Sequence, residues 1–106
     1  GKYEAAGGEQ ESPSYRDALM PNYPNPFNPG TNIKYSTGSD GHVDLRSSAV
    51  RGALVRTLVS EFQPAGERTV YWNGISDGGT MAVSGVYFYR LKTPGFTDTR
   101  KMILLR

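Results

Sequence analysis

A chain of 106 residues without cysteine has room for one domain and no covalent staple; disulfides, thiolate zinc sites and thiol nucleophiles are all excluded. Twelve basic against ten acidic residues leave a net charge of +2, scattered without a basic run, which is too weak to imply nucleic acid as a partner. No apolar stretch is long enough for a transmembrane segment, and Gly1-Lys2-Tyr3-Glu4 opens without the apolar h-region of a signal peptide.

Residues 1–18 are rich in Gly, Glu, Ser, Gln and Ala with little apolar content, and are expected to be a flexible linker or tail ahead of a domain spanning 19–106. The domain opens on Asn22-Tyr23-Pro24-Asn25-Pro26-Phe27-Asn28-Pro29. Each proline lacks a donor, fixes φ and pushes its predecessor towards an extended conformation, so the run is neither helix nor central strand. It predicts a rigid, extended entry in which Asn side chains satisfy local backbone groups.

Short alternating runs follow, each closed by Gly, Asp, Asn or Ser. Ile33 and Tyr35 mark the first, Val43 and Leu45 the second, and Leu54-Val55-Arg56-Thr57-Leu58-Val59 the third. After the turn at Pro64-Ala65-Gly66 comes Thr69-Val70-Tyr71-Trp72, then loops at Asn73-Gly74 and Asp77-Gly78-Gly79. Gly85-Val86-Tyr87-Phe88-Tyr89-Arg90-Leu91 is the strongest strand, and Thr93-Pro94-Gly95 turns it into the last run, Thr99 to Leu105. The count is about seven strands with a turn signal roughly every ten residues, which predicts an all-β antiparallel sandwich or barrel. Phe27, Ile33, Tyr35, Val43, Leu45, Val55, Leu58, Val70, Trp72, Tyr87, Tyr89 and Leu91 are the expected core, with Phe27 plugging one end. Val86–Tyr89 and Met102–Leu105 are apolar on both faces, the pattern of strands covered on two sides. The last strand is therefore expected to be integral to the sheet or to turn its outer face to a partner, since an exposed apolar edge invites aggregation.

No catalytic constellation is visible. His42 is a lone histidine beside a turn, and Ser47 and Ser48 lack the G-x-S-x-G elbow. Asn25, Asn28, Asp40, Asn73 and Asp77 carry oxygens suited to a hard cation but match no EF-hand spacing, and read as turn chemistry. The aromatics Tyr23, Phe27, Tyr35, Tyr71, Trp72, Tyr87, Phe88 and Tyr89 read first as core, with an exposed strip for stacking on sugar rings as the competing reading. No residue set calls for a metal or cofactor.

The order of the pieces resembles a known family. The entry run followed by Thr31-Asn32-Ile33-Lys34-Tyr35, then Gly41-His42-Val43-Asp44-Leu45, Gly52 with Val55 and Leu58, Pro64-Ala65-Gly66, Trp72-Asn73-Gly74, Ser84 to Leu91, and Arg100 to Leu105 is similar to type A C-terminal sorting domains of type IX secretion cargo. It is equally similar to the related Ig-like module of flagellar hook-capping proteins. The resemblance covers residues 20–106 and implies a seven-stranded Ig-like β-sandwich. It also implies a non-catalytic secretion-sorting and cell-surface attachment role within a larger secreted protein. The implied partners are outer-membrane secretion machinery and a surface sorting protease, and the implied location is outside the cell or on the surface of a Gram-negative bacterium.

Two residue sets are candidate sites: a recognition strand, Lys101, Met102, Ile103, Leu104, Leu105 and Arg106, and the entry motif Asn22, Pro24, Asn25, Pro26, Phe27, Asn28 and Pro29. The charges of Lys101 and Arg106 are expected to be exposed. Two other readings stand beside sorting: a carbohydrate- or protein-binding accessory module, and a hook-capping-like assembly module. One departure from the family pattern is Ser47-Ser48-Ala49, where an aliphatic, an aromatic and Asp or Asn are usual. It predicts either a bulged segment or a weakened core.

Overall fold

The computed structural model describes residues 14–106, and most of the expected linker lies outside the described residues. The described chain is all-β. Seven strands run in order: β1 (Ala18–Leu19), β2 (Thr31–Thr37), β3 (Gly41–Ala49), β4 (Leu54–Gln63), β5 (Gly66–Trp72), β6 (Gly85–Thr93) and β7 (Phe96–Leu104). They form a three-stranded sheet, β1-β2-β5, and a four-stranded sheet, β4-β3-β6-β7, with every pairing antiparallel. The sheets face each other as a sandwich, as the alternation and turn spacing predict.

Period-two alternation positions the core. Val43 and Leu45 on β3, Tyr87, Tyr89 and Leu91 on β6, and Met102 and Leu104 on β7 point inward to meet Leu19, Ile33, Tyr35 and Trp72 of the smaller sheet. All of these are buried. Nine of the twelve expected core residues are fully buried, whereas Val55, Leu58 and Val70 are partly buried and pack against the cluster. The difference on β4 has a cause: β4 is the outer strand of its sheet, and its register against β3 shifts twice. Clean alternation is thereby lost on that strand.

Two buried tyrosines hold the sheets through their hydroxyls. Tyr35 donates to Gln63 Oε1 at 2.7 Å and Tyr89 donates to the Met20 carbonyl at 2.7 Å. Burial raises both phenol pKa values above their ordinary range. The β6–β7 hairpin turns on Pro94-Gly95, where proline presets φ and Gly95 takes φ +83°, a value that suits glycine.

Two expectations need correction. The sheet begins inside the expected linker: Ala18 pairs with Ser36, the Ser36 hydroxyl donates to the Arg16 carbonyl, and Asp17 Oδ1 accepts from the Gly38 amide at 2.9 Å. A two-residue strand carries too little pattern to be seen in sequence. Second, the two-faced apolar strands are covered on one face only. Val86 is 36% exposed and Leu105 54% exposed, while Phe88 and Ile103 are half-buried. The Ser47-Ser48-Ala49 segment stays within β3 and does not loop out as a whole, but its pairing with β4 shifts register between Ser47 and Ser48, as the bulge reading expects. It keeps continuous pairing with Tyr89-Phe88-Tyr87 of β6, and the irregularity falls between β3 and β4. Ser47 is fully buried and its hydroxyl has no partner.

Candidate functional site

The two candidate sets, nearly eighty residues apart in sequence, form one structure. Phe27 makes a parallel bridge to Leu104. Its amide donates to the Ile103 carbonyl at 2.9 Å and its carbonyl accepts from the Leu105 amide at 3.0 Å. Asn25 Oδ1 accepts from the Ile103 amide at 3.0 Å. The proline-rich run thus acts as a short strand along the free side of β7. This is the use to which an extended segment with few donors is suited, because one edge of it can face solvent.

Phe27 fixes the run from within. Its ring is 2% exposed and tilts against Trp72 at a centroid distance of 5.8 Å; Trp72 in turn meets Tyr87 edge-on at 5.8 Å. Trp72 Nε1 donates to the Ile75 carbonyl at 2.9 Å, so its polar end is satisfied. Phe27 therefore plugs one end of the sandwich, as expected from sequence. Upstream, buried Asn22 donates through Nδ2 to Thr31 Oγ1 at 3.0 Å and to the Pro24 carbonyl at 3.2 Å, and Thr31 Oγ1 donates to the same carbonyl at 2.8 Å. Pro24, Pro26, Asn28 and Pro29 are exposed.

On β7 the residues divide by parity. Met102 and Leu104 are buried in the core, while Lys101 is exposed and Ile103 half-buried on the outer face. The backbone of Ile103 points to the edge that the entry run covers, so the backbone groups of Lys101, Thr99 and Thr97 point to the same side. Among the described residues that stretch of edge carries no paired strand, and the Asp98 carboxylate accepts from the Thr99 amide at 2.9 Å.

Arg106 is exposed, as expected, yet it is held by the chain. Its guanidinium is not a free solvated charge: Nε donates to the Ala82 carbonyl at 2.6 Å and Nη2 to the Gly74 carbonyl at 3.0 Å, while its amide donates to Ser84 Oγ at 2.8 Å. Gly74 takes φ +79°, and a Cβ there would lie 2.6 Å from the Pro29 carbonyl oxygen and 2.9 Å from Arg106 Nη2. Gly74 is the contact point between the entry run, the loop after β5 and Arg106. Sequence reasoning placed Asn73-Gly74 in a turn but gave no signal of this convergence, because it depends on three loops meeting.

The other singled-out residues resolve individually. Asp40 Oδ1 accepts from the Ala65 amide, Asn73 Oδ1 from the Ile75 amide, and the Asp77 carboxylate from the Thr57 amide. The Asn73 contact is local turn chemistry, whereas Asp40 reaches the turn at Pro64-Ala65-Gly66 and Asp77 reaches β4, where it also lies 3.7 Å from Arg56 Nε. His42 is exposed, with Nε2 3.4 Å from the Asp44 carboxylate. Most of the aromatics are core, but Tyr23 is 79% and Tyr71 55% exposed. Both pair across strands with Asn32, one on each side, so the two rings and the amide share the outer face of the three-stranded sheet.

No family model matches the chain, and no curated protein matches it. Solved structures share its fold, two of them from Porphyromonas gingivalis. One is dimeric latent PorU from Porphyromonas gingivalis, with a TM-score of 0.69 at 20% identity over 91% of this chain. The other is PorZ from the same organism, described as an essential bacterial surface component of the type IX secretion system, with a TM-score of 0.59 at 21% identity over 83% of this chain. The chain spans only 10% of the PorU chain and 11% of the PorZ chain, so the likeness is to one small domain in each.

Proposed function

We propose that this chain is a non-catalytic secretion-sorting and surface-attachment domain of a larger secreted protein, served by a type IX secretion machine of a Gram-negative bacterium. The observation that carries the reading is its fold likeness to a domain-sized part of a type IX surface component, PorZ. The order of sequence motifs from the entry run to β7 supports it independently. In this reading the β7 segment from Lys101 to Arg106, held by Phe27, is the feature that the machinery recognises, and a surface protease is the further partner. The unpaired edge beside Lys101 offers main-chain groups to a partner strand, and Lys101 and Ile103 offer side chains for specificity.

The test fuses the full chain to a secreted reporter in a bacterium with the type IX machine. Surface delivery is expected, and a reporter retained in the periplasm with a folded domain would sink the proposal. Lys101→Gln removes a charge without touching the fold and should lower delivery at unchanged melting temperature. Arg106→Gln is a different experiment, because it also removes donors to Gly74 and Ala82. It should lower both delivery and stability.

A second reading has one specific observation behind it. Tyr23, Asn32 and Tyr71 form an exposed ring–amide–ring set across adjacent strands, with the two tyrosine backbones roughly 10 Å apart by strand spacing. Such a set suits stacking on sugar rings and favours a carbohydrate-binding accessory role. Retention of the domain on a polysaccharide gel, lost on Tyr23→Ala and Tyr71→Ala, would establish it, and no retention on any of a panel of glycans would remove it.

A further inference from the structure

The outer face of the four-stranded sheet gathers cations, of which the sorting proposal uses Lys101 alone. Inward burial of Val43, Leu45 and Ser47 turns Asp44, Arg46 and Ser48 outward. The register then places Arg46 directly opposite Arg90, and Arg90 opposite Thr99. One row along, Asp44 lies opposite Lys92, and in the other direction Ser48, Phe88 and Lys101 align. Four cations therefore share this stretch of sheet with one carboxylate. Asp44 is spoken for: its carboxylate lies 3.2 Å from Arg46 Nη2 and 3.4 Å from His42 Nε2. Burial pushes its carboxyl up, and the Ser60 hydrogen bond, Arg46 and His42 together overcome that and hold it below the usual carboxylate range. Arg90, Lys92 and Lys101 have no carboxylate within ion-pair distance among the described residues.

Two arginines directly opposite each other on adjacent strands repel, and a fold gains nothing from the arrangement unless an anion sits between them. Beside the pair runs a groove of about 410 Å³, lined at one end by Arg46, Arg90 and Thr99 and at the other by Phe88, Leu54 and Val50. The cationic end offers guanidinium forks and hydroxyls, which suit a tetrahedral oxyanion. The opposite end offers apolar surface, with Leu54 51% and Val50 62% exposed.

We infer that this groove binds an organic phosphate monoester, with the phosphate between Arg46 and Arg90 and the apolar body of the ligand against Phe88 and Leu54. The doubly charged phosphate balances the two guanidiniums, which a single carboxylate does not. A groove with one charged and one apolar end fits a discrete group better than the flat surface of a bilayer. The site lies on the sheet face, whereas recognition through β7 uses the sheet edge, so either can fail without the other.

The test is an amide-shift titration of the full chain with phenyl phosphate. Saturable shifts are expected at Arg46, Ser48, Phe88, Arg90 and Thr99, stronger than with inorganic phosphate and absent with phenol. Arg90→Gln, on an exposed site, should weaken binding about tenfold or more, as loss of a charge-assisted contact does, while Lys34→Gln on the other sheet should leave it unchanged. Binding should also weaken with added salt. Equal shifts with phenol, or full binding by the Arg90 variant, would overturn the inference. Two further outcomes would also overturn it: a response only to vesicles of phosphatidylcholine and phosphatidylglycerol, which would make the face a lipid-surface contact, and tighter binding of an acetylated Asp-Phe peptide, which would make it an acidic-peptide site.

Discussion

Phe27→Ala separates the entry run from the sandwich without touching a hydrogen-bonding group. The ring is 2% exposed and packs on Trp72, so its removal forfeits a full aromatic burial and leaves a cavity at the end of the core. Substitutions of this kind cost about 3–5 kcal/mol. A domain of this size has on the order of 5–10 kcal/mol to lose, and each kcal/mol shifts the melting temperature by about 4–8 °C. The expected fall is therefore roughly 12–40 °C. Asn28→Ala, at the exposed next residue, should change stability by no more than about 0.5 kcal/mol. Amide exchange locates the effect: the Leu105 amide, which donates to the Phe27 carbonyl, should lose protection before the β3–β6 amides do. Urea and thermal midpoints equal to those of the parent, or a Leu105 amide as protected as before, would refute the assignment of Phe27 as the anchor.

Ser47→Ala removes a buried hydroxyl without a partner and should raise stability by about 1 kcal/mol, read from the urea midpoint at unchanged m-value. Gly74→Ala forces a side chain into a left-handed conformation against the Pro29 carbonyl; a loss of about 1–3 kcal/mol is expected, with shifted Arg106 resonances. Tyr35 and Tyr89 have folded-state pKa values raised by burial, so the stability they confer is full below about pH 10 and disappears as pH rises through the folded values. Their phenolate absorbance should therefore appear together with alkaline unfolding, and titration of Tyr35 and Tyr89 in a protein that stays folded would contradict it.

The sandwich was legible where side chains alternate. Ile33, Tyr35, Val43, Leu45, Tyr87, Tyr89 and Leu91 follow period two, and each is buried as that period demands. Phe27 could be placed because it is the one large apolar residue inside a run unable to form a central strand. The pattern failed where geometry is set by more than one segment. Leu19 lies on a strand of two residues, too short to show a period, and Met102 and Leu104 were hidden in a run whose apolar residues fall on both faces. Tyr23 and Tyr71 look like core by composition, yet both lie across from exposed Asn32, on the face opposite the core. The contacts of Arg106 with Gly74 and Ala82 join elements distant in sequence, and composition is silent about such meetings.

The union of entry run and β7 has a kinetic consequence. Asn25 meets Ile103 across 78 residues of chain, and Leu19 receives the Arg100 guanidinium across 81. Closing loops of that length consumes chain entropy before any contact rewards it, so these pairings belong to the late part of folding and make the whole process slow relative to a helical domain of equal size. The β6–β7 hairpin can nucleate locally on Pro94-Gly95, but its outer side stays uncovered until the segment from Leu19 to Phe27 comes back to it. A chain caught before that return exposes the Met102 and Leu104 face and an unpaired strand edge, which is the state most open to capture by another chain.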